Sequence, residues 1–171
     1  FLIYEADGDY EISCLSGLIP GVMASTGIET AELIKKAIDV AEPEIVIAVD
    51  SLAARDIARV NTTIQINDVG ISPGKGMGNT RTELSKETLG KRTIAIGVPT
   101  VIDATTLIAD AMLDVGHSDE EVGKYVEEKQ QELVVTSTDI DLVIKDFSDI
   151  IANGINITLH PGIYKNNSTN R

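Results

Sequence analysis

Across 171 residues, 14 Lys and Arg face 27 Asp and Glu, and the resulting net charge of −13 leaves no general basic surface for nucleic acid or anionic membrane. With 43% apolar residues the chain can bury a real core, and 14 Gly with 5 Pro are too few for a disordered linker. No apolar run approaches the roughly 18 residues of a membrane span, so a soluble globular protein is expected.

Taken in chain order, the pattern alternates short β-branched runs with helical periods, the mark of an α/β fold with a mostly parallel sheet flanked by helices. No basic-then-apolar segment precedes a small-residue cleavage site, so no signal peptide is read. A weak strand is expected from Tyr10 to Leu15, with Cys14 as a buried strand residue; the single cysteine suits a reducing compartment. Thr26-Gly-Ile-Glu29 reads as a capping box, opening a helix with Ile34, Ala37, Ile38 and Ala41 on one face and closed by Pro43. Glu44 to Asp50 is a strand buried on both faces, followed by a helical segment from Ser51 to Arg55, and Asn61 to Ile66 alternates as another strand.

Asp68 to Thr82 breaks the rhythm, with Gly70, Gly74, Gly76 and Gly78 and no apolar periodicity, and loops of that length are often functional. Thr93 to Val98 is a strand stopped by Pro99. A helix follows Asp103, with Leu107, Ile108, Ala111 and Val115 as its buried stripe and Gly116 as its end. Ser118 to Glu121 opens a third helix, and a last one starts near Thr138 and runs towards Leu159 and Pro161. A single α/β domain over 1–163 and a polar tail over 164–171 are expected.

Several motifs fail on chemistry. Gly70-Ile-Ser-Pro-Gly74 fits the serine-hydrolase expression, but Pro73 has no N–H for an oxyanion hole, so Ser72 is rejected as nucleophile. Gly74-Lys75-Gly76 lacks the Ser or Thr that a phosphate-binding loop places after its lysine. His117 and His160 each fall near a helix C-terminus, where the dipole favours them, and no zinc-protease motif is present. No cofactor or metal is expected. The remaining chemistry lies in carboxylates at strand ends: Asp50 and Asp103 both fall where an open sheet builds its ligand crevice. Each also precedes a helical segment, and periodicity alone favours capping. Paired with a second carboxylate in a low-dielectric cleft, either would give an acid and a base for water-driven peptide hydrolysis. From Arg55 to Arg92 seven basic residues meet four acidic ones, a net +3 island in a chain otherwise at −16.

Ala48-Val-Asp50-Ser-Leu-Ala-Ala-Arg55, Arg59 through Gly74, Gly78-Asn-Thr-Arg81, Glu83 through Gly90, Ala95 through Ala104, and Ile151-Ala-Asn-Gly154 with Leu159-His-Pro161 closely resemble the germination (spore) protease family. Pro20-Gly-Val-Met23 and Thr26-Gly-Ile-Glu-Thr30 fit as well. The resemblance implies an atypical aspartic endopeptidase with a phosphorylase/hydrolase-like, hydrogenase-maturation-protease-like fold. It implies a self-processing zymogen and a homotetramer of the spore-core cytoplasm. It also implies degradation of small acid-soluble spore proteins at germination, with cleavage after Glu.

One of the family's two aspartates falls on Asp50, with Ser51 replacing Ala, while its Thr-Pro-Asp-Ala-Leu-Gly-like segment has no counterpart, neither Asp7 nor Asp9 lying in such a context. Ser72 stands where members often have His. The chain therefore matches the C-terminal part of the family's length, and alone it is expected to be inactive. Asp103 is the weaker catalytic candidate, and Arg55, Lys75 and Arg81 are candidates to hold the substrate glutamate. Two alternatives are a divalent-metal-dependent peptidase on the same carboxylates and a catalytically silent assembly subunit.

Overall fold

The computed structural model describes residues 13–21, 23–73, 81–129 and 133–161. The chain separates into two units, one formed by Leu18–Ile140 and the other by Phe1–Gly17 with Asp141–Arg171. Among the described residues the first holds the sheet and five helices: α1 (Met23–Thr26), α2 (Thr30–Ala41), β1 (Ile45–Ala54), a 3₁₀ turn (Ile57–Arg59), β2 (Gln65–Asn67), α3 (Lys86–Leu89), β3 (Arg92–Asp103), α4 (Ala104–Asp114), α5 (Asp119–Glu128) and β4 (Val134–Val135). The second is built on α6 (Ile140–Leu159).

β3 is the organising strand because its twelve residues carry almost nothing that needs water. Thr93, Ala95, Ile96, Gly97, Val98, Pro99, Thr100 and Ile102 are all buried. Such a run is stable only when strands cover both edges and helices cover its faces. β1 pairs with it in parallel from Ile45–Arg92 to Ala54–Ile102, β2 pairs antiparallel over Gln65–Gly97 to Asn67–Ala95, and β4 pairs antiparallel over Ile102 and Asp103. The sheet is therefore mixed, where the alternation of elements predicts a mostly parallel one. β2 and β4 are too short for a periodic signal, so their direction is set by the turns that deliver them.

Pro99 does not stop β3. It lies buried in mid-strand opposite Leu52, and the register shifts directly afterwards so that Ala53 faces Val101. A bulge at Thr100 accommodates the missing N–H, and the Pro99 carbonyl accepts the Asn61 N–H at 2.7 Å. β1 likewise runs past Asp50 to Ala54, and no helix forms over Ser51 to Arg55; Asp56 caps only the single 3₁₀ turn. The reason is cooperative, since β3 offers ladder partners to every residue of Ile45–Ala54, which outweighs the helix propensity of Leu-Ala-Ala.

On one face of β1, Val46, Ala48 and Leu52 pack against Ala31 and Ile38 of α2, Ile71, Leu84 and Leu89, and Ala95 of β3. The chain around Ile71 returns to itself at Leu84 through paired bonds of 3.1 and 2.8 Å, so the Gly-rich loop is closed at its base. Gly70 makes that closure possible. Its φ is +125°, and a Cβ there would lie 2.6 Å from the Leu84 carbonyl oxygen.

Other expectations change in detail. The cap of α2 is Glu29, not Thr26, because Glu29 has the extended backbone and its carboxylate takes the Ala31 and Glu32 N–H groups. Asn61 to Ile66 contributes only its end to β2, because Asn61 takes a left-handed conformation and turns the chain first. No strand forms at residues 13–15, so Cys14 is exposed; residues 10–12 lie outside the described residues. The α4 stripe is not buried: Leu107 is partly covered, Ile108 and Ala111 are exposed, and Val115 is 77% exposed. The helices of α4, α5 and α6 otherwise fall where their periodicity places them, α5 with a Ser118–Glu121 capping box. Among the described residues no helix is long and apolar enough to cross a membrane.

Gly70→Ala is expected to cost about 2 to 4 kcal/mol, because backbone and not a movable side chain blocks the added methyl. Gly90→Ala, at φ +69° with nothing within 4 Å of the added carbon, is expected to cost only about 1 to 2 kcal/mol. Urea unfolding of the two variants measures the difference.

Candidate active site

Strand alternation puts Asp50 on the same face of β1 as Val46, Ala48 and Leu52, the face that carries the core. Its register partner on β3 is Gly97, and the partner of Gly97 on β2 is Gln65, so Asp50, Gly97 and Gln65 form one row across three strands. Gly97 has no side chain to fill its place; the Leu52 δ-carbon occupies it, 2.3 Å from where a Cβ would stand. The carboxylate thus sits beside an apolar side chain that leans over the sheet, half-buried at the margin of the core.

Asp50 is not a helix cap. One oxygen, Oδ1, accepts the N–H of Ser51 at 2.8 Å, and among the described residues Oδ2 has no hydrogen-bond partner. Burial is the largest influence on its ionisation and holds its pKa above the ordinary value of 3.8; the Ser51 N–H and the charge of Arg81 act in the opposite direction without cancelling it. Arg81 works through space, since no ion pair joins the two among the described residues. It arrives there because the returning limb of the Gly-rich loop is held at Leu84 by Ile71 and at Thr82 by Glu29, whose Oε1 accepts the Thr82 N–H at 3.3 Å.

The other sequence candidates lie elsewhere. Asp103 caps α4, its Oδ1 accepting the Thr106 N–H at 2.9 Å. It stands six residues beyond Gly97 along β3, roughly 20 Å from the Asp50 row at ~3.3 Å per residue, so the fold does not bring the two carboxylates together. Arg55 is exposed just past the end of β1, and Lys75 lies outside the described residues. His117 places Nδ1 3.5 Å from Glu121, and the His160 N–H closes α6 on the Asn156 carbonyl at 2.9 Å. Glu121 is held below the usual carboxylate range, first by the Ser118 backbone N–H. Among the described residues no group of three or more His, Cys, Asp or Glu gathers as metal ligands.

Sequence reasoning missed Glu29 and Gly97. Glu29 was legible only as a capping residue, because its second contact is with a residue 53 positions away. Gly97 had a signal, a glycine inside an otherwise β-branched run, which in a strand marks a close approach.

The fold is thus a mixed α/β sheet carrying a half-buried carboxylate whose pKa burial raises, with the charge of Arg81 acting on it through space. The germination protease family profile matches residues 6–132, and the chain belongs to that family. It is 43% identical to the germination protease of Caldanaerobacter subterraneus subsp. tengcongensis over 90% of this chain and 54% of that protein. With the Clostridium tetani protein the figures are 42%, 91% and 55%, and with the Bacillus pumilus protein 40%, 90% and 56%. The chain thus spans about half the length of the curated relatives it matches.

Two measurements check the assignments of the carboxylates. Because the folded pKa of Asp50 is raised, its contribution to stability is fully present below 3.8 and is lost as pH rises through the folded value. Asp50→Asn is therefore expected to melt above the wild type at neutral pH, with the gap closing as the pH falls through the raised folded value and closed below 3.8. Asp103→Ala is expected to lose about 1 kcal/mol at neutral pH by uncapping α4, read by thermal or urea unfolding.

Proposed function

We propose that this chain supplies the Asp50 half of the acid–base pair of an endopeptidase that degrades small acid-soluble spore proteins at germination, cutting after glutamate. Membership of the germination protease family supports the reaction class, and the placement of Asp50 carries the site. A carboxyl whose proton is retained by burial is suited to share that proton with a second carboxylate. The ionised member draws a proton from water as it attacks the scissile carbonyl while the protonated member donates its proton to the carbonyl oxygen. As the C–N bond breaks, the member that took the water proton passes it to the leaving amine and the other recovers a proton from the tetrahedral hydroxyl. Oδ2 of Asp50, unengaged among the described residues, is the atom available for that exchange.

The partner carboxylate is proposed to come from outside the described residues, since Arg81 is the charged group acting on Asp50 among those that are described. Arg81 is proposed to do a second task. Within Coulombic reach of Asp50, it is placed to receive the acidic side chain of the substrate next to the bond being cut. The zymogen processing and tetrameric assembly implied by the family resemblance belong to the same reading, as does its spore-core location.

The test is peptide cleavage by this chain alone and by a complete enzyme carrying its residues. The chain alone is expected to be inactive; cleavage that Asp50→Asn abolishes would show that it contains both halves of the site. In the complete enzyme Asp50→Asn is expected to lower kcat by about 10²- to 10⁴-fold. Arg81→Glu is expected to raise KM for Glu-containing peptides with little change for peptides lacking Glu.

A further inference from the structure

The carboxylate of Glu29 serves two separate parts of the chain. Oε2 takes the N–H groups of Ala31 and Glu32, at 2.6 and 3.4 Å, and so caps α2. Oε1 reaches across 53 residues to the N–H of Thr82, at 3.3 Å. A cap needs only the first of these, and a shorter Asp, Ser or Thr makes it better. Glutamate at a cap is explained by length: the additional methylene lets one carboxylate span from the helix to the returning limb of the Gly-rich loop.

That limb carries Arg81 at the residue before Thr82 and Leu84 two residues after it. Leu84 packs in the same cluster as Ala31, the first buried residue of α2, and as Ala48 and Leu52, which flank Asp50 on its face of β1. The helix start, the loop limb and the strand face thus meet at one place, and Glu29 is the polar link between the first two. We propose that Glu29 is a positioning residue for the Asp50 site, fixing the backbone at Thr82 so that the Arg81 guanidinium stays within Coulombic reach of the Asp50 carboxylate. This inference rests on the reading of Asp50 as the working acid.

Among the described residues the groups around Asp50 bring little charge. β3 presents Gly97 and Leu52 leans in from its own strand, so neither brings charge. The loop limb brings Arg81, whose charge acts on Asp50, while Glu29 at the N-terminus of α2 is engaged by three N–H groups and exerts no charge effect of its own on Asp50 among the described residues. Two roles for Glu29 then predict opposite signs. If it acted merely as a nearby anion, its removal would make Asp50 easier to ionise. If it holds Arg81 in place, loss of the link makes Asp50 harder to ionise, because the stabilising cation drifts away.

The experiment is a carboxyl NMR titration of Asp50 in this chain, as wild type and as Glu29→Asp, Thr82→Pro, Arg81→Met and the Glu29→Asp/Arg81→Met pair. Glu29→Asp keeps the charge and the cap but is too short for Thr82, while Thr82→Pro removes the N–H and leaves Glu29 intact. Both are expected to move the Asp50 midpoint upward, as Arg81→Met does, with α2 retained by amide fingerprint. The double variant is expected to match Arg81→Met alone and not to add to it. An unmoved or lowered midpoint in both Glu29→Asp and Thr82→Pro, or additive shifts in the double variant, would overturn the positioning role. In the complete enzyme the same Glu29→Asp change is expected to shift the acidic limb of the pH profile upward. A shift in the titration without one in the profile would leave the link standing and remove Asp50 from the reaction.

Discussion

The structure depends on the burial of β3. A strand with no polar face must be covered on both edges and both faces, and everything placed near the candidate site is there because it covers some part of that strand. β1 lies along one edge over ten residues and brings Asp50 opposite Gly97. β2 and β4 cap the other edge, and α2 with the Ile71 and Leu84 limbs closes the face above Ala95. The parallel register leaves Asp50 in mid-strand between two core residues, where the energetic cost of ionising it is built into the packing.

That cost gives Asp50 its character. Three influences act on the carboxyl, and the largest is loss of water, against which one local N–H and one distant guanidinium are too weak. A carboxylate at an open strand end, or one consumed by a helix N-terminus, would have no such bias. Asp103, at the end of β3, differs in its hydrogen-bond partner: its Oδ1 is committed to the first turn of α4. Each aspartate accepts one N–H, from Ser51 in mid-strand for Asp50 and from Thr106 in the first helical turn for Asp103, so only Asp103 is a helix cap.

The Gly-rich segment reads differently once its two limbs are in place. The glycine that matters at its base is Gly70, where a close backbone crossing at Leu84 excludes any side chain. The loop is pinned at that crossing and again at Thr82 by Glu29, and of the basic island apparent in the sequence Arg81 is the member whose charge acts on Asp50 among the described residues. Net charge over a segment could not make that distinction, because it carries no information about which residue a long-range contact selects.

Local signals in the sequence determined the elements themselves: the α/β class, the helices at Thr30–Ala41, Ala104–Asp114, Asp119–Glu128 and Ile140–Leu159, and the two long strands with Asp50 and Asp103 as the carboxylates near their ends, between which only the family resemblance chose Asp50. These follow from periodicity, caps and a motif that are all written within a few residues of one another. Only the tertiary structure decided the direction of β2 and β4, the passage of β3 through Pro99 and of β1 through Leu52-Ala-Ala, the exposure of Cys14 and Val115, and the joining of Glu29 to Thr82. Each of those turns on a partner far away in the chain, and a ladder, a cover or a hydrogen bond between distant segments has free energy only once both segments are in place.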